Sequence, residues 1–374
     1  MTYFIIAGER SGDLHGANLI NALRSKDPHA QVFAYGGEQM QAAGATLLQH
    51  YQAYSMMGFV EVFLNLKKVL GVLSACKKAI VAHKPDVVIL IDFAGFNIRI
   101  AKFAKKQGFR TFYYISPKVW AWNQKRALTI GQVIDRMFVI LPFEVDFYKR
   151  FNYEVDYVGN PLLDAVKAFV PTPTFGQQHQ LNEKLIIALL PGSREQELIK
   201  MLPKMCSVVS QFPDYQFVVA GVSNLPSSLY QQLLKDYPSI KVVTDSAYDL
   251  LCMSSAALVT SGTATLETAL FNVPQVVCYE TSSLSYQIGK RLISVPFISL
   301  VNLIADKEIV KELIQDQLNE ENLKRELAAI TNNKPNRERL LNDYAHLHQL
   351  MGEAGASERT ATLIVKYLGH AKSR

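Results

Sequence analysis

Cysteine is scarce in this chain. Its 374 residues hold four, at Cys76, Cys206, Cys252 and Cys278. They lie far apart with no CxxC or Cys/His spacing, so neither a disulfide framework nor a zinc site is indicated, and a reducing compartment fits. No apolar run approaches the ~20 residues of a membrane span, so any membrane contact is expected to be peripheral. The opening run Thr2-Tyr-Phe-Ile-Ile-Ala7 carries neither a basic n-region nor a cleavage site. No signal peptide is therefore expected, and the expected location is cytoplasmic. GxGxxG is missing, and the second predicted strand ends in Gly36-Gly37 instead of an acid, which argues against a dinucleotide. There is no GxxxxGK[ST], so no P-loop, and no GxSxG elbow. No DxD is present, which disfavours a sugar-nucleotide site of the metal-dependent kind. His346 and His348 are two apart and cannot share a helix face, so both read as surface residues.

What is present is globular. The chain is 49% hydrophobic and 19% charged, long enough for two domains. Its net charge is +6, and the excess lies in the first half: residues 1–170 hold 20 Lys/Arg against 13 Asp/Glu, the remainder 19 against 20. Short β-branched runs alternate with helical patterns throughout. That predicts an α/β fold with two Rossmann-like, doubly wound parallel sheets facing a shared cleft. The Pro-containing polar stretch 169–180 marks a boundary near residue 170. The expected domains are 1–170 and 171–354, with a last helix at about 355–374 packing back on the first.

Four segments have the makings of a site at the carboxyl ends of strands. The first strand turns through Gly8-Glu-Arg-Ser-Gly12, where Glu9 is either a functional acid or a solvated turn residue. The third, Val87–Ile91, is apolar throughout and ends in Asp92, either a catalytic carboxylate or a cap for the next helix. Asp86, at the other end, reads as a strand-entry residue. In the second half, Leu190-Pro-Gly-Ser-Arg194 precedes a helix. Ser193 and Gln196 have capping-box spacing, and Arg194 beside a helix N-terminus suits a diphosphate. Ser261-Gly262-Thr263 repeats the strand–turn–helix pattern with donors for phosphate, and Glu267, about a turn further on, suits two ribose hydroxyls.

Two features suggest a greasy, anionic partner. Residues 56–84 carry an apolar stripe (Phe59, Phe63, Leu66, Leu70, Leu73, Ile80) that reads mostly as core. Met56, Met57, Val60 and Leu64 exceed one face and predict an exposed patch. From Lys67 to Arg126 there are 13 Lys/Arg, including Lys67, Lys68, Lys125 and Arg126, against two acids. No nucleic-acid motif accompanies them, so an anionic lipid surface fits better than nucleic acid. Trp120 and Trp122 lie in the same stretch, facing either a sugar or phosphate or a core corner.

Taken in order, Gly8-Glu-Arg-Ser-Gly-Asp13, Met57-Gly-Phe-Val-Glu-Val62, Ile115-Ser-Pro-Lys-Val-Trp-Ala-Trp122 with Lys125-Arg126, Leu190-Pro-Gly-Ser-Arg194, Ser261-Gly-Thr-Ala-Thr-Leu-Glu267 and Ser299-Leu-Val-Asn302 resemble the lipid-A-disaccharide synthases over nearly the whole length. The resemblance implies a GT-B fold and an inverting, metal-independent transfer with no cofactor. It implies UDP-2,3-diacylglucosamine as donor and 2,3-diacylglucosamine 1-phosphate (lipid X) as acceptor. The products would be a β-1,6 disaccharide 1-phosphate and UDP. It places Glu9 and Asp92 near the reacting sugars and Arg194, Glu267 and Asn302 on the donor side. It further implies peripheral attachment to the inner face of the cytoplasmic membrane and a homodimer with exchanged C-terminal segments. The chain departs from the family at Gly95, where many members have a second acid, and at Gly159-Asn-Pro161, where others place a histidine. Another GT-B enzyme on a soluble UDP-sugar, a transferase or an epimerase, is the alternative.

Overall fold

A computed structural model describes residues 1–54, 66–282, 286–287 and 295–369. Met56, Met57, Phe59 and Val60 lie outside the described residues, as do the side chains of Lys67 and Lys68. The chain divides into two units, one of residues 1–164 and 353–374, the other of residues 165–352. The division falls at Asp164, six residues before the boundary read from the sequence near residue 170.

Unit 1 is built on a seven-stranded, wholly parallel sheet: β1 (Thr2–Ala7), β2 (Gln31–Gly36), β3 (Thr46–His50), β4 (Val87–Ile91), β5 (Thr111–Tyr114), β6 (Arg136–Val139) and β7 (Asp156–Tyr157). The spatial order is β3-β2-β1-β4-β5-β6-β7. β1 and β4 are buried along almost their whole length because helices cover both faces of a parallel sheet. They pair in register from Tyr3–Val87 to Ala7–Ile91. Asp86 accepts a hydrogen bond from the Thr2 backbone N–H at 2.8 Å, so it fastens the entry of β1. The strand order reverses direction between β1 and β4. At such a switch point the helices after neighbouring strands go to opposite faces, leaving a crevice beyond the carboxyl ends.

The helix Ala356–Gly369 belongs to this unit, although it closes the chain. Its Ala361, Ile364 and Leu368 join the core formed by β1, β2 and β4 and the helix Arg10–Lys26. Burying Ile364 and Leu368 contributes ~1.5–3 kcal/mol each. Arg359 and Asp164 fix its start. The guanidinium donates to the carbonyls of Val158, Glu353 and Ala354, and the Asp164 carboxylate accepts from the N–H groups of Gly355 and Ala356.

Unit 2 repeats the plan with six parallel strands: β8 (Leu185–Leu190), β9 (Tyr215–Gly221), β10 (Lys241–Thr244), β11 (Ser254–Thr260), β12 (Gln275–Tyr279) and β13 (Lys311–Ile314), in the order β10-β9-β8-β11-β12-β13. Its switch point lies between β8 and β11, which pair up to Leu190–Val259. β3 and β13, each at the edge of its sheet, are not anticipated by the strand pattern.

Candidate active site

In unit 1 the residues that follow β1 and β4 meet at the switch point. Gly8 must lack a side chain, because a Cβ there would lie 2.0 Å from the Phe93 ring. This close packing lets the two strand ends approach. Glu9 then stands at the N-cap of the helix Arg10–Lys26 in extended backbone, its carboxylate accepting from Ser11 Oγ at 3.1 Å. Asp92 and Phe93 both adopt left-handed backbone, with φ of +44° and +45°. Such a turn is strained for residues with side chains and needs outside support. The buried Asn97 donates to the carbonyls of Ile91 at 3.0 Å and Asp92 at 2.8 Å, and Tyr113 Oη donates to the Asp92 carbonyl. The turn brings the Asp92 carboxyl within the electrostatic reach of Glu9. Burial, and next the Glu9 charge, push Asp92 up to about 6, while Lys118 pulls the other way. A carboxyl poised near neutrality is suited to exchanging a proton. Lys118 was not singled out from the sequence. Its signal was its place just past β5, beside the strand that ends in Asp92.

Asp13 in the same motif serves the fold: its buried carboxylate accepts from the N–H groups of Gly37, Gln39 and Met40 and so anchors the helix Glu38–Ala42. At Gly95, an added side chain would meet open space.

The two tryptophans part company. Trp122 is half exposed, with Arg126 stacked 5.6 Å from its ring, and Lys125 is exposed beside it. Trp120 corrects the expectation of a ligand- or lipid-facing ring. It is buried, and its Nε1 donates to Glu144 at 3.2 Å. Glu144 is itself buried and accepts from the N–H groups of Ile140 and Leu141; burial pushes its carboxyl up to about 7. On the helix Leu66–His83 the buried face is Leu73, Cys76 and Ile80, while Leu70 and Val81 are exposed, so Leu70 is not part of the core.

In unit 2 the two expected turns follow β8 and β11, on either side of its switch point. The helix Glu195–Cys206 starts where expected, but its N-cap is Arg194 and no Ser193 capping box forms. Glu197 does the bracing instead. Its carboxylate accepts from the Ser193 N–H at 3.2 Å and from Arg194 Nη1 at 3.0 Å, across a Gly192 whose φ of +104° favours glycine. Arg194 remains largely exposed, with the rest of its fork open to a ligand. After β11, Ser261 corrects the phosphate-donor expectation: its N–H already serves the Cys278 carbonyl and its Oγ the Ile298 carbonyl, both at 3.0 Å. Gly262 and Thr263 are exposed at the start of the helix Thr263–Leu270, whose first N–H groups have no partners within the helix. On that helix Glu267 is held at Oε1 by the Tyr248 hydroxyl at 2.7 Å. Burial raises its carboxyl above the usual range, and the Tyr248 bond opposes that rise.

Asn302 is a further correction. It is wholly buried, with Nδ2 bonded to the Val310 carbonyl and Glu312, and Oδ1 accepting from Ile309 and Val310 N–H at 2.8 and 2.9 Å. Its amide is spent on the loop before β13 and is unavailable to a ligand. His348 is half-buried, not a surface residue. Among the described residues no three His, Cys, Asp or Glu side chains converge as a metal would require, and no helix is long and apolar enough to cross a membrane.

Comparison with known proteins decides the family. A family model described as lipid-A-disaccharide synthetase matches residues 3–365. The chain belongs to the lipid-A-disaccharide synthase family. A synthase of that name from Syntrophus aciditrophicus is 40% identical over 366 residues, covering 96% of each chain. One from Geobacter sulfurreducens is 36% identical over 376 residues, covering 98% of this chain and 97% of its own. Among solved structures, the UDP-GlcNAc 2-epimerase from Neisseria meningitidis bound to UDP-GlcNAc superposes with a TM-score of 0.69 at 14% identity, over 98% of this chain and 100% of that one. The glycotransferase of kitacinnamycin gives 0.66 at 14%, over 98% and 99%. At such low identity these likenesses speak for the fold, which is GT-B. The lipid-A-disaccharide synthase family makes this chain a glycosyltransferase of lipid A biosynthesis, acting on lipid-linked sugars.

Proposed function

We propose that the chain transfers 2,3-diacylglucosamine from its UDP conjugate to the 6-hydroxyl of 2,3-diacylglucosamine 1-phosphate, with inversion, giving the β-1,6 disaccharide 1-phosphate and UDP. The acceptor oxygen attacks the anomeric carbon as its proton passes to Asp92. The bond from that carbon to the diphosphate breaks, and UDP leaves with the electron pair. Arg194 and the N–H groups at the start of the helix Thr263–Leu270 meet the charge that grows on the diphosphate. Glu267 accepts the two ribose hydroxyls. Glu9 acts on Asp92, whose affinity for the proton it raises.

The observation that carries this reading is the left-handed turn, held by Asn97, that sets the Asp92 carboxyl at the switch point of unit 1, where burial and the Glu9 charge act on it. The family relationship supports lipid-linked sugars as the substrate class. Release of UDP, followed with acylated donor and acceptor, tests it. Turnover of the acylated pair with none of a soluble UDP-sugar supports the reading, and the reverse refutes it.

Trp122, Lys125 and Leu70, each exposed, are assigned to the inner face of the cytoplasmic membrane, where apolar insertion and attraction to anionic lipid act together. The dimer with exchanged C-terminal segments would seat a partner's copy of the helix Ala356–Gly369 on the surface this chain's own helix covers; particle mass in solution tests it.

A further inference from the structure

Glu267 does not stand alone. Tyr248, in the helix Ala247–Met253, is packed edge-on against Phe169 at 5.4 Å between ring centroids and tilted against Phe271 at 4.9 Å. Phe169 and Phe271 also touch each other, at 5.9 Å. A phenol held by two rings has one direction in which to point its hydroxyl, and here that direction is Glu267 Oε1, 2.7 Å away. Among the described residues Oε2 takes no hydrogen bond. A carboxylate has two oxygens and rotates freely about its last torsion unless something holds one of them. Vicinal hydroxyls of a ribose need both oxygens in a set plane.

We propose that Tyr248 is a positioning residue for nucleotide recognition: it fixes the plane of the Glu267 carboxylate so that this group reads the ribose diol of the donor. The inference rests on the assignment of Glu267 to the ribose. The aromatic trio Phe169, Tyr248 and Phe271 is then the rigid backing of the nucleoside seat. Sequence reasoning missed it because the three residues lie in separate segments with no shared motif.

The test compares UDP with 2′-deoxy-UDP and 3′-deoxy-UDP on the full-length enzyme, by calorimetry, for the wild type, Tyr248→Phe and Glu267→Gln. The phenylalanine variant keeps the ring packing, and an unchanged melting temperature checks that it folds. The expected result is that Tyr248→Phe binds UDP ~3–10-fold more weakly, the range of one hydrogen bond. The deoxy analogues, which lack what Glu267 reads, are expected to lose much less from the same substitution. An equal loss for UDP and both analogues would reduce Tyr248 to a packing residue and overturn the proposal, as would no loss at all. Unchanged UDP binding by Glu267→Gln would remove the ribose assignment itself. UDP binding weakened by Glu267→Gln but untouched by Tyr248→Phe would leave that assignment standing and sink only the role of Tyr248.

Discussion

The Glu9 charge acts on the buried Asp92 carboxyl at the point where the strand order of the first sheet reverses. Burial and then the Glu9 charge bring Asp92 to about 6. As the proton acceptor Asp92 must be ionised, so kcat/KM is expected to fall as pH drops through about 6. In Glu9→Gln the like charge is gone and the acid limb moves to lower pH. A pH–rate profile of the two enzymes measures the shift, and a limb that stays in place contradicts the coupling.

The same pair carries a stability consequence. Asp92 takes up its proton more readily in the folded chain than in the unfolded one, so its contribution is full below the ordinary carboxylate range and is lost as pH rises through about 6. Asp92→Asn, which never ionises, is therefore expected to be more stable than the wild type at pH 8, by ~1–3 kcal/mol, and to match it near pH 3. Melting temperatures at the two pH values check this.

Arg194 is exposed and braced on one side only, by Glu197. Its loss removes a charge-assisted contact to the leaving diphosphate without disturbing the core. Arg194→Ala is expected to raise the Kd for UDP ~10–100-fold with an unchanged melting temperature. Arg194→Lys recovers only part of that, because an ammonium lacks the planar fork.

Asn302 is expected to behave in the opposite way. Each atom of its amide is satisfied inside unit 2. Asn302→Ala leaves buried N–H and C=O groups unpaired and is expected to cost ~2–4 kcal/mol. The fraction that folds is expected to bind UDP within ~2-fold of the wild type, since a single buried truncation away from the ligand removes no contact to it.

Much of this was legible in the chain. β4 is a run of five apolar residues, and that run alone sets the acid that follows it, Asp92, at a carboxyl end. The Gly-containing turns after β8 and β11 were legible for the same reason. The edge strands were not, because Thr46–His50 and Lys311–Ile314 are short, and one sheet edge imposes little pattern. Nor could the sequence separate Trp120 from Trp122. They stand two apart on a four-residue helix, and what Trp120 packs on and bonds to, Phe143 and Glu144, lies over twenty residues away. Asn302 sits in a motif shared with the family, and only its four buried bonds reveal that it holds a loop.

The tryptophan contrast is itself testable. Trp122→Ala is expected to weaken binding to anionic vesicles and to spare turnover of detergent-dispersed substrates. Trp120→Ala is expected to destabilise unit 1 by ~3–5 kcal/mol. Vesicle sedimentation and thermal melts distinguish the two.

The transfer chemistry proposed for this chain depends on Asp92, and the most direct measurement is the turnover of Asp92→Asn with acylated donor and acceptor, alongside its affinity for UDP. The expected result is a fall in kcat of ~10²–10⁴ with UDP binding preserved. A folded variant that binds UDP and turns over at the wild-type rate would contradict it.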